Sequence, residues 1–181
     1  MAVYTRKGDT GTTSMYEADP KKRCRVSKSD LRVQAIGAVD EVNSYLGICN
    51  FYVQSSNTKK FVTDIQRNLF TIGSILSKAP LEIKKAETKK LEGEIDRIEE
   101  SLPPLRNFLL PEGSISAVHF MYARALARRA ERRVVALHNK EAVDSGVLEY
   151  INRLSDYLFC IFREENALSG EKEELWIGRK S

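Results

Sequence analysis

From Leu31 onward, the polar and apolar positions of this chain fall into a helical rhythm. Val33, Ile36, Val39, Val42 and Leu46 recur three or four residues apart and so line one side of an α-helix. The same rhythm predicts a second helix over 60–77, carried by Phe61, Ile65, Leu69, Ile72 and Leu76. A third, over 88–101, is highly charged, with Leu91, Ile95 and Ile98 as a narrow apolar line. Leu102-Pro103-Pro104 ends it, because proline lacks an amide hydrogen and disfavours helix in the residue before it. Pro111-Glu112-Gly113 marks a turn before a fourth helix, predicted from Ser116 to His138 on Phe120, Ala123, Ala127, Ala130, Val134 and Leu137. A fifth is predicted over 146–169, with Ile151, Leu154, Leu158, Ile161 and Phe162 toward the core. Residues 1–30 show no sustained period and read as an extended arm, and no convincing period-two strand appears. The expected fold is all-α: a five-helix up-and-down bundle in a single domain over 1–181, with arm 1–30, bundle 31–169 and polar tail 170–181.

Composition narrows the function. A length of 181 residues suits one domain with a sizeable core. The 29 basic residues are interleaved with 25 acidic ones, so the usual electrostatic footprint of a nucleic-acid binder is missing. No apolar run approaches the roughly 18 residues of a membrane span, and the first residues read as neither signal nor transit peptide. Cys24, Cys49 and Cys160 are odd in number and scattered, which argues against a disulfide framework or a zinc site and for a reducing cytoplasm. Cys49 and Cys160 sit among apolar residues and are expected to be inert core thiols.

Candidate chemistry concentrates in four places. The fourth helix carries Arg124, Arg128, Arg129, Arg132 and Arg133, with only Glu131 among them. Arginines four apart on one flank repel by about 0.2–0.5 kcal/mol per pair. Two readings stay open: an anionic ligand offsets that cost, or the arginines form a solvated face favoured by the helix dipole. On the first helix, Gly37, Asp40, Ser44 and Gly47 share a flank. A buried aspartate there has to be paired, with an arginine of the fourth helix as its counter-ion; a solvated Asp40 beside Glu41 is the alternative. On the last helix Asn152, Asp156 and Arg163 share a face around Phe159, which by itself is an ordinary solvent face. Thr5 to Ser14 has the glycines, hydroxyls and cations of an anion cradle, though not the spacing of a P-loop, and a plain basic tail is the alternative. His119 and His138 lack a Glu-x-x-His partner pattern, which argues against a di-iron carboxylate bundle, and His119 reads as structural. Nothing resembles a nucleophile elbow or a Cys/His pair.

Taken in order, these segments closely resemble the PduO-type ATP:cob(I)alamin adenosyltransferases. The matching stretches are Tyr4-Thr5-Arg6-Lys7-Gly8-Asp9-Thr10-Gly11-Thr12-Thr13 and Gly37-Ala38-Val39-Asp40-Glu41-Val42-Asn43-Ser44. They continue with Phe108-Leu109-Leu110-Pro111, the block Arg124 to Arg133, and Tyr150-Ile151-Asn152-Arg153-Leu154-Ser155-Asp156-Tyr157-Leu158-Phe159. The resemblance runs from residue 3 to about 165.

It implies a homotrimer with active sites between subunits. The implied reaction moves the 5'-deoxyadenosyl group of ATP to the cobalt of cob(I)alamin, itself reduced from four-coordinate cob(II)alamin. Adenosylcobalamin and triphosphate are the products. Implied cofactors and substrates are ATP, cobalamin, and Mg2+ on the phosphates, held by no protein side chains alone. An external reductase and an adenosylcobalamin-dependent acceptor enzyme are implied partners. ATP would be held by Thr5, Arg6, Lys7, Gly8, Thr13, Ser14 and Lys28, with Arg128, Arg129, Glu131, Arg132 and Asn152. Arg128, Asp40, Arg124 and Phe108 form the implied catalytic set: Asp40 pairs with Arg124, and Phe108 closes off the lower axial face of the corrinoid. One departure stands out. Relatives commonly carry paired glycines after the Phe-x-Leu-Pro segment, where this chain has Glu112-Gly113-Ser114.

Overall fold

The computed structural model describes residues 4–16 and 22–178; the remainder of the expected arm (1–3 and 17–21) and of the expected tail (179–181) lies outside the described residues. Five helices follow a short hairpin: α1 (Leu31–Tyr52), α2 (Ser56–Leu76), α3 (Lys85–Ser101), α4 (Ile115–His138) and α5 (Ser145–Leu168). The helical rhythm located all five. α2 and α3 start four and three residues before the expected 60 and 88, because their first turns carry no large apolar residue to extend the pattern. For α2 the true signal is a cap: Ser55 accepts from the Thr58 amide at 3.2 Å. Asp30, Ser114 and Asp144 cap α1, α4 and α5 in the same way.

α4 lies at the centre, packed against both α5 and α1, while α2 packs on the far side of α1 and α3 on α5. Its inward side explains this position. Ala117, Ala123, Ala127 and Ala130 are buried small residues that let two neighbouring helices come close. Larger side chains, among them Leu46, Phe120, Tyr150, Tyr157 and Phe162, fill the space between.

The expectation of a strandless arm needs correcting. β1 (Thr12–Tyr16) and β2 (Arg23–Ser27) pair antiparallel, with Ser14 opposite Arg25 and Met15 opposite Cys24. Only Met15 is buried in either strand, and the alternation of β2, with Cys24 and Val26 half-buried between exposed Arg23, Arg25 and Ser27, spans just five residues, too short a run to mark a strand by itself. The described chain is therefore mostly helical with one two-stranded sheet.

Candidate functional site

The turn leading into β1 is shaped for close backbone approach. Arg6 and Gly11 have positive φ (59° and 76°), and the amides of Asp9 and Gly11 donate back to the carbonyls of Arg6 and Gly8. Lys28 folds over this turn: its amide donates to the Gly11 carbonyl at 2.9 Å, and a methyl group at Gly8 would sit 3.2 Å from its Nζ. Thr5, Arg6 and Lys7 are exposed, Gly8 is half-buried, and Thr13 and Ser14 belong to β1. The sequence pattern gave no sign of Arg25. Its guanidinium donates to the Lys7 carbonyl, to the carbonyl (3.0 Å) and hydroxyl (2.5 Å) of Thr12, and to the Ser14 hydroxyl (3.1 Å). Only the hairpin register could have revealed it, by placing Arg25 opposite Ser14.

On α4 the arginines divide by environment. Arg129 forms an ion pair with Glu41 of α1, and Glu131 accepts from the Asn152 side chain of α5 at 2.8 Å. Arg128, Arg132 and Arg133 are exposed and, among the described residues, have no carboxylate partner. Arg124 is half-buried, with its guanidinium over the Phe159 ring, 5.4 Å from the centroid. Burial, and then the neighbouring charge of Arg128, pull its guanidinium down from its ordinary value.

Asp40 lies elsewhere. It is exposed on a groove of about 510 Å³ between α1 and α2, beside Gly37, Phe70 and Gly73. Arg124 lines a different groove, between α3 and α5. The expected Asp40–Arg124 pair is thus not formed within one chain. Nor does any hydrogen bond or ion pair among the described residues join the arm to the arginines of α4. In the floor of the Asp40 groove, the Asn43 side-chain oxygen is buried without a partner.

Phe108 sits on the loop between α3 and α4, with 77% of its surface exposed. Its ring meets Trp176 of the tail edge-on at 6.3 Å, and the two border a groove of about 660 Å³ with Leu105 and Ile177. The loop's exit explains the departure from paired glycines. Gly113 has φ of 124°, and a Cβ there would fall 2.1 Å from the Asn166 side-chain oxygen. That oxygen accepts the Ser114 amide at 2.9 Å, and Asn166 Nδ2 donates to the Glu112 carbonyl at 3.1 Å. One glycine, at 113, is what this clamp requires.

The grouping on α5 is corrected in part. Asn152 and Asp156 are exposed, but Arg163 is buried and donates to Glu173 and to the Pro103 carbonyl. His119 is structural, as expected: its Nδ1 meets the Tyr45 hydroxyl at 2.7 Å, and Tyr52 stacks on its ring. Burial pushes the Cys49 thiol up to about 12 and the Cys160 thiol up to about 11, so neither is a nucleophile at neutral pH. Among the described residues no group of three His, Cys, Asp or Glu side chains is placed to hold a metal ion. No described helix is long and apolar enough to cross a membrane.

Exposed guanidinium groups on a helical scaffold, without carboxylate partners among the described residues, are the chemistry of a protein that can hold a polyanion. Comparison with known proteins narrows that class: the chain belongs to the cobalamin adenosyltransferase family, whose profile matches residues 3–165. It is 39% identical over 173 residues to the corrinoid adenosyltransferase PduO of Citrobacter freundii, covering 92% of this chain and 50% of the relative. The chain therefore spans about half the length of the PduO proteins it matches. It is 37% identical to the Bacillus subtilis corrinoid adenosyltransferase (94% of this chain, 89% of that one) and 34% identical to human corrinoid adenosyltransferase MMAB (97% and 73%). Among solved structures, it superposes with a TM-score of 0.91 and 32% identity on a phenylalanine-to-alanine variant of the Lactobacillus reuteri PduO-type ATP:corrinoid adenosyltransferase complexed with cobalamin and ATP. That match covers 98% of this chain and 100% of the other. An arginine-to-lysine variant of the Lactobacillus reuteri enzyme complexed with ATP superposes with a TM-score of 0.89 at 33% identity, covering 97% and 100%.

Proposed function

We propose that this chain transfers the 5'-deoxyadenosyl group of ATP to the cobalt of cob(I)alamin, giving adenosylcobalamin and triphosphate. One observation carries the reading: in a member of this family, Arg128, Arg132 and Arg133 line the surface of α4 without carboxylate partners, beside the Glu131–Asn152 pair. The cobalt lone pair attacks C5', the C5'–oxygen bond breaks, and its electrons leave on the triphosphate. Charge then builds on the departing oxygens. Pre-placed guanidinium groups stabilise that charge without reorganising, and such electrostatic stabilisation usually outweighs every other contribution to catalysis.

In this reading Arg128, Arg129 and Arg132, with Asn152 oriented by Glu131, hold the phosphates. Thr5, Arg6, Lys7, Gly8, Thr13, Ser14 and Lys28 supply the rest of the nucleotide site from the arm, and Arg25 fixes the path of that turn. No side chain acts as a base, consistent with the absence of a histidine from these groups. The described carboxylates build no cage for a metal, so Mg2+ would ride on the phosphates, and no step is assigned to it. Phe108, exposed at the rim of its groove, would exclude the lower ligand of cobalt(II) and leave a four-coordinate centre that an external reductase reduces more easily.

A homotrimeric, up-and-down bundle belongs to the same proposal. Among the described residues of one chain no hydrogen bond or ion pair joins the arm to the arginines of α4, Asp40 is open, and the half-buried Arg124 guanidinium has no carboxylate partner. Seating Asp40 of one copy on Arg124 of the next resolves both. The three free cysteines suit a reducing compartment, and cytoplasmic residence with delivery to an acceptor enzyme completes the reading. The test is an anaerobic assay with ATP, Mg2+ and chemically reduced cobalamin. Light-sensitive adenosylcobalamin is the expected product. ATP binding without a new cobalt–carbon bond would instead identify a binding protein on this scaffold.

A further inference from the structure

The loop that carries Phe108 has neither a helix nor a sheet of its own, and it is held at three points by the end of α5 and the tail beyond it. At its start, Arg163 Nη2 donates to the Pro103 carbonyl at 2.8 Å. Its exit is clamped by Asn166, which accepts the Ser114 amide and donates to the Glu112 carbonyl. In the middle the tail lies antiparallel to it: Leu110 N–H donates to the Glu174 carbonyl at 2.9 Å, and Trp176 N–H donates to the Phe108 carbonyl at 2.8 Å. Arg163 reaches this third point as well. Its Nε and Nη2 donate to both oxygens of Glu173, at 2.6 and 3.1 Å, one residue before the tail joins the loop.

We infer that Arg163 is a positioning residue for Phe108, acting through a strap in which Glu173 ties the tail against the loop. The inference rests on the reading of Phe108 as the group facing the corrinoid. Phe108 cannot fix itself: most of its surface is exposed, and its one aromatic neighbour, Trp176, belongs to the strap. Arg163, by contrast, is only 5% exposed. A guanidinium buried that far must keep its partners, so the carboxylate it holds cannot leave cheaply. Its planar fork engages both carboxylate oxygens while one nitrogen also reaches the carbonyl, which a lysine's single ammonium cannot reproduce. The strap therefore joins a rigid helix to the loop's entrance and to its middle at one side chain.

Trp176 is the only tryptophan and Glu173 lies beyond α5, so the strap can be tested without dismantling the bundle. In the full chain, Glu173→Gln should red-shift Trp176 fluorescence and raise its quenching by acrylamide, with the helical circular dichroism unchanged. It should slow adenosylation starting from cobalt(II) by about tenfold, the scale expected when a reacting geometry loosens by a fraction of an ångström. From pre-reduced cobalt(I) the loss should stay under about twofold. Phe108→Ala should show the same selectivity with a larger loss, and Glu173→Asp should recover part of both signals. Unchanged Trp176 fluorescence in Glu173→Gln would overturn the strap. A fluorescence change with equal losses from both cobalt states, or with none, would overturn the positioning role. A wild-type chain that forms no cobalt–carbon bond would refute adenosyl transfer and the role of Phe108, while fluorescence would still decide whether the tail is tied.

Discussion

The two functional ends of this molecule are built by opposite means. At the loop end, every polar group named is satisfied within one chain: Arg163 by Glu173 and Pro103, Asn166 by Glu112 and Ser114. On α4, Arg128, Arg132 and Arg133 stand in solvent and Arg124 is half-buried without a carboxylate partner among the described residues, while Asp40 is open on a separate groove of α1 and α2. The difference lies in what burial permits. A buried guanidinium without a partner is too costly to keep, whereas an exposed one costs only mild repulsion and stays available. The loop is thus finished by folding, whereas the open groups of α4 are, in the proposed reading, finished by a ligand and by a second copy of the chain.

The sharpest way to break this comparison is to remove a charge from the open end. Arg128→Ala should lower kcat/KM by about a hundredfold or more, because it removes charge stabilisation made mainly in the transition state. Its melting temperature should hardly move; a marked drop in stability with modest kinetic loss would show that Arg128 is part of the fold. The closed end should answer in the opposite way. Gly113→Ala places a methyl 2.1 Å from the Asn166 oxygen on a backbone with φ of 124°. Denaturant unfolding should show about 1–3 kcal/mol of lost stability, the usual size of such strain. A neutral Gly113→Ala would mean that the exit of the loop is not clamped.

The smallest effect sharpens the comparison where the two regimes meet. Asp40→Ala and Arg124→Ala should couple by about 1 kcal/mol in a double-mutant cycle on the assembled protein, the range for groups in contact. Sedimentation of the same variants should show weakened association. Strict additivity, with the oligomer intact, would place the two residues on independent surfaces.

Much of this architecture was legible early, for physical reasons that differ from part to part. The apolar faces of α4 and α5 could be read because a long helix buries one side and repeats it every three to four residues. The hairpin could not, since β1 buries only Met15 and the alternation of β2 runs for just five residues. Arg25 and Arg163 stayed hidden for a related reason. Arg163 reads in sequence as part of an ordinary solvent face and Arg25 stands out in no pattern, yet each is tied to residues distant in the chain.

What the sequence by itself determined is therefore the local and the repetitive: five helices and the arginine-bearing face of the fourth. Tertiary structure alone decided which cations are spent inside the fold and which stay open on its surface. Charge and residue type are properties of a position, but a partner is a property of distance, and distance between remote residues exists only once the chain has folded.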